Sequence, residues 1–150
     1  VEPIALRDAI LAALEPVTGL EGRPIGGELE DGLVYGLVTR TGGGEAWWQI
    51  LVRTTPESRP PAPDLDPAPV LPTSGPVRVG DIELLFAHAA MTAGAVTATR
   101  YSTRATPPAL KYGVHAEFED ETAAFIQLQW VLRPGEERRD HTRGQHRDEV

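Results

Sequence analysis

The chain has no cysteine, no asparagine and a single lysine among its 150 residues. Without thiols it can form no disulfide, thiolate nucleophile, iron–sulfur cluster or cysteine-bound zinc site. Without asparagine it offers no acceptor for N-linked glycans. No apolar run approaches the ~18 residues that a membrane-spanning helix needs, so no membrane partner is expected. The start of the chain lacks a basic stretch followed by an apolar core and a small-residue cleavage site. It therefore does not read as a signal peptide. A leader removed before Val1 stays open, and the expected location is cytoplasmic.

Basic residues are in short supply: 14 against 22 acidic ones, a net charge of −8. Up to Gly75 there are five basic and eleven acidic residues, so most of the excess lies in that half. A field of this sign repels phosphate backbones, and no nucleic-acid partner is expected. Trp47, Trp48 and Tyr101 could stack on bases, yet no basic residues interleave with the tryptophans. All basic residues but Lys111 are arginine. Beside the abundant Ala, Pro and Gly, that skew reflects GC-rich coding.

Signatures of catalysis are equally scarce. Ser58, Ser74 and Ser102 lack the strained turn of a nucleophile elbow. Gly42-Gly43-Gly44 lacks the Lys-Ser/Thr that follows a phosphate loop, and Gly26-Gly27 lacks a strand-to-helix setting. Both read as turns, and no cofactor is expected.

With 41% apolar and 24% charged residues, the composition is that of an ordinary globular domain. Residues 3–15 predict an amphipathic helix: Pro3 suits the first turn, and Leu6, Ile10, Ala13 and Leu14 recur at three- and four-residue spacing. Pro16 and Gly19 end it. Residues 33–40 and 46–54 are rich in β-formers and flank Thr41-Gly42-Gly43-Gly44-Glu45, which predicts a hairpin. The neighbours Trp47 and Trp48 must point to opposite faces, one into the core and the other partly exposed or under a helix.

Eight prolines lie between Pro56 and Pro76. Missing donors and a locked φ predict an extended excursion there, a solvated linker or a strap that docks on a partner. Residues 82–92 then predict a second helix with Asp81 as N-cap; a hairpin turning at Gly80-Asp81 is the competing assignment. Strands are expected at 95–103, around 112–118 and around 125–132. A turn at Asp120–Thr122 would set Tyr112 opposite Trp130 and Val114 opposite Leu128, with Ile126, Leu128, Trp130 and Leu132 on one apolar face. Beyond Pro134 the chain is charged and without apolar period, a solvated tail.

His115, Glu117 and Glu119 alternate along one strand face, a spacing that could hold a divalent metal or an acid–base pair. A solvent-facing polar surface opposite Gln127 and Gln129 is the plainer account, and no metal is expected. His88, between alanines, reads as a satisfied packing residue. His141 and His146, five apart in the tail, read as tail composition. Candidate interaction residues are Trp47 and Trp48, Asp64 and Asp66 of the strap, and Arg138 and Arg139 of the tail.

These observations predict one α+β domain over residues 1–133, with its Pro-rich loop at 56–76, and a charged tail over 134–150. The domain is a mostly antiparallel sheet of about five strands with the N-terminal helix and a second helix packed on one face. The expected function is a non-catalytic protein-binding or assembly module. Its architecture is comparable to that of adaptors, chaperones of secreted proteins, toxin-neutralising immunity proteins and phage-tail subunits, with no motif behind the comparison. The partner would be another protein or a second copy. The alternative is a small-molecule- or metal-dependent enzyme with its site on the His115/Glu117 face.

Overall fold

Alternating and helical hydrophobic periods fold here into two layers, a sheet and a pair of helices. The computed structural model describes residues 1–25, 35–54, 64–106, 108–138 and 147–150. The elements in order are α1 (Pro3–Leu14), β1 (Glu21–Pro24), β2 (Leu37–Thr41), β3 (Gly44–Thr54), α2 (Val79–Thr92), β4 (Thr97–Arg100), β5 (Gly113–Glu117) and β6 (Thr122–Leu132). All six strands pair antiparallel in the order β1-β2-β3-β6-β5-β4. The sheet has six strands where about five were expected. The addition is β1, whose Glu-Gly-Arg-Pro has no apolar alternation to announce it and owes its extended form to pairing with β2.

The main core lies between the helices and one sheet face. The α1 stripe Leu6, Ile10 and Leu14 meets Ile82, Phe86, Ala89 and Ala90 of α2, over Trp48, Ile50, Val114, Ile126 and Leu128. Trp48 is fully buried, stands edge-on to Phe86 with ring centroids 4.5 Å apart, and donates its indole N–H to Thr39 Oγ1 at 3.0 Å. A buried indole keeps a partner because an unmade hydrogen bond costs about 1–3 kcal/mol.

Residues 82–92 are helical, as expected, but α2 starts earlier. Arg78 is its N-cap and Asp81 lies inside the first turn. No side chain caps this end; the Val79 N–H donates to the Asp148 carbonyl at 2.8 Å. The last residues thus supply the acceptor that a local cap would provide. Val77 and Val150 exchange two backbone bonds of 2.7 Å, Val150 is buried, and Asp148 accepts from Tyr112 and Lys111 at 2.5 and 2.7 Å. Residues 147–150 are therefore docked on the domain, where a solvated tail was expected. His141 and His146 lie outside the described residues.

The second half of the Pro-rich segment is also held. Leu71 and Val77 are buried and Leu65 packs against the same core. His88 Nε2 lies 2.7 Å from the Asp66 carbonyl, so this histidine anchors the strap to α2. Residues 55–63 lie outside the described residues.

Two corrections concern the final hairpin. Its turn falls one residue earlier than predicted: Phe118 N–H bonds the Thr122 carbonyl at 2.9 Å, so Val114 faces Ile126 and Tyr112 meets Leu128. Asp120 Oδ1 fixes this by accepting both the Thr122 N–H and its hydroxyl. A two-residue change of register preserves the faces. The bulge does not: Trp47 pairs with Trp130, yet Trp48 pairs with Leu128, leaving Gln129 as an extra residue in β6. Beyond it the alternation inverts. Trp130 and Leu132 cross to the opposite face, and Val131 takes the core position. β4 is shorter than the predicted 95–103, because the chain turns away after Arg100.

Candidate functional site

The face of the sheet turned away from the helices is built from residues in register across the strands. Leu51 pairs with Phe125, Phe125 with His115, and His115 with Thr99. All four are half-buried. The next row runs Gln49, Gln127 and Gly113. Gly113 lets the Tyr101 ring lie against β5: a Cβ there would come within 2.8 Å of the ring. Tyr101 thereby reaches across to accept a 3.1 Å bond from Gln127 Nε2. Burial raises the Tyr101 pKa, and the Gln127 bond opposes that shift.

Beside these rows Trp47, Trp130, Val38, Leu132 and Ile25 form a second, smaller cluster with no helical residue in it. Trp47 was expected to be partly exposed or under a helix if Trp48 took the core. It is buried under arginines instead, with the Arg138 guanidinium 4.4 Å and that of Arg23 5.3 Å from its ring centroid. Its indole N–H donates to Glu45 Oε2 at 3.2 Å.

His115 stacks on Phe125 with ring centroids 4.7 Å apart. Its Nε2 lies 3.6 Å from Glu117 Oε1, too long for a hydrogen bond, and has no hydrogen-bond partner among the described residues. Desolvation lowers the His115 pKa; Glu117 works against that and Arg104 with it. The imidazole is therefore neutral near pH 7. Glu117 is nearly buried, whereas Glu119 is exposed in the turn after β5 rather than on the strand face. The expected three-residue line is thus a pair. Among the described residues no group of three His, Asp or Glu converges as a metal site.

Asp64 and Asp66 are brought together elsewhere, lining an open groove of about 410 Å³ between the strap and β4 with Leu65, Arg100, Thr103 and Arg104. Asp66 lies 3.8 Å from the Arg100 guanidinium. Trp48 is withdrawn from any surface, and Arg139 lies outside the described residues. Among the described candidate interaction residues, Trp47 meets Arg138 on the face turned away from the helices, and Asp64 and Asp66 share the separate groove.

One polar centre escaped sequence reasoning. Glu83, on α2, is wholly buried and accepts from Arg100 Nε, the Ser102 N–H and hydroxyl, and the Gly113 N–H. Leu51 and Phe125 were also missed as site residues, although each alternates with core positions of an apolar strand.

No family model, curated protein or solved structure matches the chain. No helix among the described residues is long and apolar enough to cross a membrane.

Proposed function

We propose that the chain is a non-catalytic protein-binding or assembly module, and that it binds through the helix-free face of its sheet. One observation carries this reading: Leu51, Phe125 and His115 lie half-buried and in register across three strands on the face opposite the helical layer. Apolar sheet faces are covered by another layer in stable folds. Completing the burial of Leu51 and Phe125 is worth roughly 1 kcal/mol each, and flanking aromatics of this kind form the centres of interfaces. A cytoplasmic place of action belongs to the same reading.

The test is a photo-crosslinking amino acid at Gln49, with one at Arg7 on α1 as control, in cells that make the protein. A discrete adduct from position 49 that is absent from position 7, and lost in Phe125→Asp, is expected. Equal adducts at both positions, or none at 49, would overturn the proposal.

A small-molecule- or metal-dependent enzyme is the second reading, favoured by the unbonded Nε2 of His115 beside Glu117. It requires a ligand or divalent ion that raises the melting temperature of the native chain and does nothing for His115→Ala.

A further inference from the structure

Resting on the reading of the helix-free face as a binding surface, we infer that its occupant is an acidic polypeptide segment bearing apolar side chains. The ground is the distribution of charge. The chain carries a net −8, yet Arg23, Arg40, Arg53, Arg104 and Arg138 all frame this one face. Arg53 ends the row that runs through Ala123 to Glu117, and Arg40 pairs with Glu45. Arg23 and Arg138 lie over Trp47, and Arg104 lies over Tyr101 with its guanidinium 4.6 Å from the ring centroid. Among the described strand residues the carboxylates on the same face are Glu21, Glu45 and Glu117. Glu45 is engaged by the Trp47 indole, and Glu117 is nearly buried. Among the described residues other carboxylates gather on the strap at Asp64 and Asp66, in the β5–β6 turn at Glu119, Asp120 and Glu121, and at the docked Asp148 and Glu149.

Guanidiniums around an apolar centre select for a particular chemistry. A side chain that covers Leu51 and Phe125 expels water and lowers the local dielectric, which strengthens every ion pair at the rim. A guanidinium held over an aromatic ring, as that of Arg104 is over Tyr101, can still offer N–H groups for a two-pronged bond to a carboxylate. A basic segment would meet repulsion from Arg53, Arg104 and Arg138. A long polyanion such as a nucleic acid would reach beyond the face into the acidic remainder. A short acidic segment feels mainly charges within the screening distance, about 8 Å at physiological salt.

The experiment uses the intact protein and three fluorescein-labelled probes: a peptide of Asp, Glu, Leu and Phe, its counterpart with Lys for every acid, and a short oligothymidylate. Fluorescence anisotropy is expected to rise with the acidic peptide alone and to fall back as salt is added. Arg53→Gln with Arg104→Gln, both exposed positions, should weaken that binding about tenfold while leaving thermal unfolding unchanged. Equal or stronger binding of the basic peptide or the oligothymidylate overturns the inference. So does silence of the acidic peptide, indifference to the two substitutions, or a homodimer that those substitutions dissociate. Failure here with a Gln49 adduct still formed would leave the face as a binding surface of another chemistry. Failure of both would remove the face altogether.

Discussion

Arg100 Nε donates to Glu83 Oε1 at 2.9 Å, and no part of Glu83 reaches solvent. Arg100 also donates to the Gly80 carbonyl at 3.0 Å, so one guanidinium ties β4 to the first turns of α2. Glu83 in turn holds the Ser102 and Gly113 N–H groups, pinning both ends of the link from β4 to β5. A buried carboxylate is tolerated when its oxygens are satisfied this fully.

Glu83→Ala should therefore cost about 3–5 kcal/mol, since it leaves a guanidinium and two backbone donors without their acceptor. Urea unfolding measures it. A loss below about 1 kcal/mol would show that solvent replaces the carboxylate readily.

Gly113→Ala should destabilise by about 2 kcal/mol or more, because the added Cβ meets fixed atoms. It would lie 2.6 Å from the Ile126 carbonyl oxygen and 2.8 Å from the Tyr101 ring. As the displaced Tyr101 ring gains solvent, relief of burial, the largest cause of its raised pKa, should outweigh the loss of the opposing Gln127 bond and move the phenol back toward 10.0. Ultraviolet titration against Tyr101→Phe isolates this group.

His115 gives stability a pH dependence of definite sign. Burial holds its folded pKa below the ordinary 6.5, so the unfolded chain takes up the proton first as pH falls. The stability that the neutral imidazole contributes is complete above pH 6.5 and is lost between there and the lowered folded value. Denaturant unfolding from pH 8 to 5 should show this loss for the native protein and a smaller one for His115→Gln. Identical profiles would contradict it.

Removal of residues 147–150 should cost about 2–4 kcal/mol, through the lost burial of Val150 and the backbone bonds to Val77 and Val79. Asp148→Asn alone should lower the Tyr112 pKa. Burial is the first cause of its rise and the Asp148 carboxylate the second. A truncated chain that melts where the full one does would show the docking to be marginal.

Wherever a period runs unbroken, sequence alone determined the element and its inward face. The stripe of α1 and the alternation of β5 are of this kind, because 3.6- and 2-residue repeats are local, whereas the choice of Trp48 over Trp47 for the core and of helix over hairpin at 82–92 came only with the fold. The His115–Glu117 side of β5 was legible for the same reason. Tertiary structure decided everything that depends on a partner distant in sequence. The bulge at Gln129 moves Trp130 and Leu132 to the second face because β6 must follow β3 there. β1 exists through pairing, α2 is capped by Asp148, and Glu83 is a satisfied hub through residues that arrive from β4 and β5. A local pattern shows which side of an element is apolar; a cross-strand register and a polar contact form only once the chain has closed on itself.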